Sequence, residues 1–317
     1  MPSLSAAAMQ SYLGRSIASF NQNKLNGLLA EISLRDHLGG LGFQDRVSPG
    51  GWIARREGAG VFGHSTAVFF PEVIHPDFQY PADRELPQPT TGLHTICATF
   101  HQSGIASFFC APTIGTDETA DSVQWHAVQL GLPIGQPYRP LIDAVRALSF
   151  RERQRPWNFL RYHADTSTIP ALALPDEFSK ENLRVSFQRS FFSELSDIDG
   201  IFWGQQHTYP LEIKEKTAAV DSGLGAYFGL DIGPFVKLAF YAAKRGNLHS
   251  IFIVREIDSP QSRNLVAWWM ITFDQLAQYA SWVMRSGGKS MSGGRSAVVR
   301  VPRAEFQTLD AGTLGVL

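Results

Sequence analysis

The sequence predicts an α/β protein, a mixed central β-sheet flanked by helices and carrying a large inserted segment. Three observations predict it. Residues 21–42, NQNKLNGLLAEISLRDHLGGLG, place apolar side chains at 25, 28, 29, 32, 38 and 41, which is helical spacing closed by glycines. Residues 43–180 change texture, dense in Pro and Gly with short β-like runs. After Asn182 the pattern becomes regular again and reads as strand, strand, helix, strand, strand, helix, strand.

Taken in order, the elements rest on local chemistry. In the middle segment Ala67-Val68-Phe69-Phe70 and Ala106-Ser107-Phe108-Phe109 read as strands, with helical pieces expected near 121–131 and 138–150. Ile201-Phe202-Trp203 and Leu211-x-Ile213 read as the arms of a hairpin, with residues 204–210, GQQHTYP, as its turn. Residues 232–245, IGPFVKLAFYAAKR, form a helix that is apolar on most sides and stops at Gly246. HSIFIV at 249–254 is a continuous apolar run of the kind buried on both faces of a sheet. A strand at 265–273, a helix at 274–285 entered at Asp274, and a strand at 297–301 complete the order. The resulting division is a helical part at 1–42, an inserted segment at 43–180 and a core at 181–317.

Composition excludes several classes. The chain of 317 residues is 44% hydrophobic and 12% aromatic, which implies a packed core. A formal net charge of −1 gives no overall pull toward nucleic acid or membrane, so any electrostatic footprint must be local. Cys97 and Cys110 stand far apart without a CxxC pair, which indicates neither a zinc site nor a disulfide framework. No signal peptide or spanning apolar run is read, and a cytoplasmic location is the expectation. HExxH and GxSxG are absent. Gly223-x-Gly225-x-x-x-Gly229 has the wrong spacing for a dinucleotide fold, and Val283 stands where a P-loop needs glycine.

The hairpin carries the chemistry. In LEIKEK, Leu211, Ile213 and Glu215 share one face, and Glu212, Lys214 and Lys216 the other. If the turn sets Trp203 opposite Pro210, Asp199 falls opposite Lys214 and diagonal to Glu212. Two carboxylates and an ammonium gathered in this way suit phosphodiester hydrolysis assisted by a hard cation such as Mg²⁺. The ordinary alternatives are a solvated edge strand for Glu212 and Lys214 and a strand-entry turn for Asp199. Their spacing, with the apolar helix and strand that follow, favours the active-site reading.

Asp199, followed 13 residues on by Glu212-Ile213-Lys214, resembles the PD-(D/E)xK signature of the restriction-endonuclease-like nuclease superfamily. The resemblance covers about residues 182–302, with helix 21–42 as a candidate first helix. It implies a restriction-endonuclease-like core with Asp199 and Glu212 as metal ligands, the Ile213 carbonyl as a third, and Lys214 beside the attacking water. It further implies Mg²⁺ as cofactor, with Mn²⁺ able to stand in, and products ending in 5′-phosphate and 3′-hydroxyl. Ile198 replaces the signature's proline, so Asp197 competes with Asp199 for the ligand role.

Positive charge concentrates in two places. RALSFRERQRPWNFLRYH at 146–163 interleaves arginines with Phe150, Trp157, Phe159 and Tyr162, and Arg151, Arg153 and Arg155 are its candidate DNA contacts. Residues 285–303 hold basic side chains and no acid, with Lys289 and Arg295 as candidate phosphate contacts on a glycine-rich loop. For the first stretch a groove-facing element and a solvated face stand level; for the second a flexible surface loop is the plainer reading. The function expected is a type II restriction endonuclease acting on double-stranded DNA as a homodimer. Alternatives are a repair, phage or structure-specific nuclease on the same core, and a nucleic-acid-binding protein without catalysis.

Overall fold

Alternation along LEIKEK requires apolar material on the Leu211–Ile213 side and tolerates charge on the other, and this sets how the second half of the chain packs. In the computed structural model the described residues are 2–18, 21–48, 50–56, 67–81, 83–131, 135–244, 246–279, 285–289 and 295–317, with backbone alone at 285–289 and 295–296. The chain divides into two compact units. One comprises Met1–Leu28 and Gly50–Asp197, the other Leu29–Pro49 and Ile198–Leu317.

The second unit is built on a six-stranded mixed sheet. Its strand order is Val47–Ser48, Gly200–Trp203, Thr208–Lys216, Ile251–Ile257, Leu265–Thr272 and Gln307–Thr308. Thr208–Lys216 runs antiparallel to Gly200–Trp203 and parallel to Ile251–Ile257. On one face Leu211, Ile213, Ile253 and Met270 pack against Ala30, Leu34 and Leu38 of the helix Gln22–Gly40. On the other, Phe252, Val254 and Ile271 pack against Leu238 of the helix Ile232–Ala242, Leu276 of the helix Phe273–Tyr279, and Phe228, Leu230, Val299 and Val301. These last four come from a second sheet, ordered Ala219–Asp221, Gly225–Asp231, Arg295–Pro302 and Arg285–Lys289. Ile251–Ile257 is therefore covered on both sides, as its apolar run requires.

The first unit holds a seven-stranded sheet, ordered Arg139–Pro140, Gln124–Leu130, Ala106–Thr113, Ala67–Pro71, Gly51–Arg56, Phe191–Ile198 and Arg151–Glu152. Ala67–Pro71 and Ala106–Thr113 are parallel, with the helix Thr91–Gln102 between them in sequence. Phe69 stacks on Phe108 with ring centroids 5.4 Å apart, and Phe187 from the helix Leu174–Ser190 meets Phe69 at 5.0 Å.

The helix expected at 121–131 is a strand. Trp125, Ala127, Val128 and Leu130 are buried, and Gln124–Leu130 pairs residue for residue with Ser107 to Thr113, so sheet pairing overrides the local pattern. At 138–150 only Leu141–Val145 is α-helical. A 3₁₀ turn at Arg146–Leu148 follows, and Ser149, in the left-handed region at φ +57°, ends it. The helix expected at 274–285 is seen as Phe273–Tyr279, and residues 280–284 lie outside those described. No helix among the described residues is long and apolar enough to cross a membrane.

Candidate functional site

The site forms at the end of the hairpin away from its turn, just beyond the Gly200–Leu211 pair. Gly204 donates its N–H to the His207 carbonyl at 2.9 Å, so the turn closes over four residues, and Thr208-Tyr209-Pro210 joins the return arm. Trp203 consequently faces Thr208, and Leu211 faces Gly200, which corrects the expected register by two residues. A slide of two preserves the face of every side chain. Continued by one residue, the observed register sets Asp199 across from Glu212 in place of Lys214. Pro210 interrupts the parallel pairing: Thr208 pairs with Leu248 in the same register as Leu211 with Ile251, and the N–H that Pro210 lacks falls, by alternation, on that side between them.

The two carboxylates are buried. Asp199 is 5% exposed and Glu212 1%. An ionised carboxylate so placed is costly unless paired. Lys214 Nζ lies 2.6 Å from Glu212 Oε1, and Lys237 Nζ lies 2.6 Å from Oε2. Asp199 Oδ2 accepts the backbone N–H of Ile213 at 2.7 Å, the place a sheet partner's carbonyl would take. Asp197, the competing acid, is exposed at the end of the strand Phe191–Ile198.

Lys237 escaped the sequence reading. Its signal is a lone charge in the middle of IGPFVKLAFYA, a helix otherwise apolar enough to bury Leu238, Phe240 and Tyr241. Ser250 Oγ donates to the Leu238 carbonyl at 2.8 Å and ties that turn of helix to the neighbouring strand. The helix thus presents Lys237 to the Glu212 face of the sheet.

The remaining charges of LEIKEK serve other ends. Glu215, on the opposite face, takes Arg255 at 2.8 Å and Arg263 at 2.9 Å and is structural. Burial lowers the Lys216 ammonium below its ordinary value and Lys214 pushes the same way, while Asp231 and Glu212 oppose them. Lys214, Lys216 and Lys237 gather around Glu212, with Asp231 acting on Lys216 as a further opposing charge.

Among the described residues no three His, Cys, Asp and Glu side chains gather as a metal cluster. The donors here are two carboxylates and a backbone oxygen. In an extended strand a residue's N–H and C=O point to the same edge. The Ile213 carbonyl therefore lies on the edge where its N–H meets Asp199. Carboxylate and carbonyl oxygens are the donors a hard cation takes. Glu212 already carries two ammonium contacts, so an arriving ion has to replace part of that compensation.

The candidate DNA contacts fall elsewhere. Arg151, Arg153 and Arg155 belong to the first unit, on and beside the exposed strand Arg151–Glu152. Lys289 and Arg295 pair across the strands Arg285–Lys289 and Arg295–Pro302, and their side chains, like residues 290–294, lie outside those described. The chain matches no family model, no curated protein and no solved structure.

Proposed function

We propose that the chain is a Mg²⁺-dependent DNA endonuclease of the sequence-specific, type II kind, cutting duplex DNA to 5′-phosphate and 3′-hydroxyl ends. One observation carries the reading. Asp199 and Glu212, both buried, share one face of a hairpin, with Lys214 on one Glu212 oxygen and the Ile213 amide on Asp199. An edge strand that merely solvates its charges would leave those carboxylates in water. Asp199, Glu212 and the Ile213 carbonyl would hold the ion, with Mn²⁺ able to replace Mg²⁺. When bound, the ion supplies an acidified water and charge neutralisation at phosphorus.

The chain's own groups do the positioning. The Ile213 N–H fixes the Asp199 carboxylate. Lys214 keeps an ammonium beside the scissile phosphate, where it orients a water and steadies developing charge. Lys237 holds the second Glu212 oxygen in place. With one such site per chain, cutting both strands favours a homodimer whose two-fold axis matches a palindrome. Lys214→Ala is expected to abolish Mg²⁺-dependent cleavage while retaining DNA binding measured in Ca²⁺; undiminished cutting by this variant would overturn the assignment. A second reading, a nuclease of branched or single-stranded DNA on the same core, is favoured by one feature of the first unit, the half-exposed Trp157 among arginines.

A further inference from the structure

Residues 150–163 follow an extended path with little secondary structure, yet the path is fixed. Arg153 donates its backbone N–H to Ser190 at 2.7 Å, Trp157 to Arg189 at 3.4 Å and Tyr162 to Arg15 at 3.0 Å. Arg153 Nε donates to the Gln188 carbonyl at 2.7 Å. These anchors leave the Trp157 indole 47% exposed, although burial of that ring would be favourable.

Around it, guanidiniums and rings alternate. Arg153 and Arg161 lie 5.8 and 5.9 Å from the Trp157 ring centre. Arg151 and Arg153 each lie 3.9 Å from the ring centre of Phe192, and Arg184 lies 5.6 Å from that of Phe159. The acids nearby are engaged within the cluster. Glu152 bonds Arg146 at 3.1 Å, Glu181 bonds Arg184 at 2.6 Å, and Asp121 takes both Arg15 at 3.1 Å and Arg189 at 3.4 Å.

We infer that this cluster is a stacking platform for single-stranded nucleic acid, with an unpaired base on the exposed part of Trp157 and its flanking phosphates on Arg153, Arg155 and Arg161. The chemistry chooses the strand state. A flat aromatic face gains from a base only where the base's own face is uncovered, which a duplex allows at its ends alone. The interleaved guanidiniums supply the cationic track for the backbone, and planar stacking tolerates any base. Every residue involved belongs to the first unit, so the inference stands whether or not the hairpin site is a nuclease.

The test is fluorescence anisotropy of dye-labelled 12-nucleotide oligo(dT), oligo(U) and a blunt duplex of equal length with the full chain in EDTA, so that no cleavage intrudes. The single strands are expected to bind more tightly than the duplex, and oligo(U) against oligo(dT) shows whether the sugar matters. Trp157→Ala is expected to weaken single-strand binding about tenfold or more, and Trp157→Phe to retain most of it. Arg155→Ala should lower the slope of log affinity against log salt by about 0.7, the share of one phosphate on a single strand, while Trp157→Ala leaves the slope unchanged. Duplex binding as tight as single-strand binding, equal affinity of parent and Trp157→Ala, loss with Trp157→Phe equal to that with Trp157→Ala, or no binding at all would each overturn the inference.

Discussion

Replacing Lys237 with methionine removes one of the two ammoniums on Glu212 while keeping most of the apolar stem. Truncating one member of a buried ion pair costs roughly 3–5 kcal/mol when the other charge is stranded. Glu212 is 1% exposed and would be stranded but for Lys214, which stays 2.6 Å from Oε1, and Lys237 itself is 15% exposed. Half the full cost, about 2 kcal/mol, is therefore expected for Lys237→Met. The assay is urea unfolding in EDTA of the parent, Lys237→Met, Glu212→Gln and the double variant. Once Glu212 is neutral, Lys237→Met should cost no more than about 0.5 kcal/mol, giving a coupling near 2 kcal/mol. If an ion shares Glu212, saturating Ca²⁺ should also stabilise Lys237→Met more than the parent, because it replaces the lost charge. A cost that is the same in both Glu212 backgrounds would refute the pairing, and a Ca²⁺ response no larger in the variant would refute the shared site.

Other parts of the molecule make separate claims. Asn182, 1% exposed, accepts Trp125 Nε1–H at 2.8 Å and donates to the Ala120 carbonyl at 2.9 Å; Asn182→Ala strands both and should cost at least about 2 kcal/mol in the same unfolding assay. Burial, with Asp274 adding to it, pushes the Tyr209 hydroxyl from 10.0 up to about 12. The folded state then holds that proton more tightly than the unfolded one, so the contribution to stability is whole below pH 10 and is lost as pH rises toward 12. Tyr209→Phe should flatten this alkaline limb in a stability–pH series, and an unchanged limb would refute it. Burial raises both thiols, Cys97 to about 12 and Cys110 further, so neither should react with a thiol reagent at pH 8 until denaturant is added. Stoichiometric labelling of the native chain would contradict this.

How much of this was legible in the sequence follows from how local each signal is. The apolar run IFIV and the flanking helices announce a doubly covered strand, because covering both faces leaves no polar alternation to misread. The hairpin arms were legible for the same reason, but their register was not. It depends on a four-residue turn closed by one Gly204–His207 bond, and the seven turn-like residues 204–210 disguise it. Residues 124–130 read as helix because neither strand alternation nor propensity dominates there, and only the seven-pair ladder with Ser107 to Thr113 makes them a strand. The helix Leu174–Ser190 was missed although Pro175, Asp176 and Glu177 mark its first turn. Its buried surface mixes Glu177, Lys180, Glu181 and Asn182 with Leu174, Phe178, Leu183, Val185 and Phe187, so the apolar stripe by which helices are recognised is interrupted. At the site, Asp199, Glu212 and Lys214 could be named from spacing because side-chain alternation survives a two-residue slide. Lys237 could not, because which face of an almost wholly apolar helix meets a given strand is a tertiary fact.

The central claim is that the buried Asp199–Glu212 pair serves metal-dependent cleavage of DNA, and the direct measurement is a gel. The full chain is incubated with phage-sized duplex DNA in Mg²⁺, in Ca²⁺ and in chelator, with branched and single-stranded substrates alongside. Discrete duplex fragments in Mg²⁺ alone, bearing 5′-phosphate ends, are the expected result. DNA left intact on every substrate in every lane would contradict it and return Asp199, Glu212 and Lys214 to a structural role.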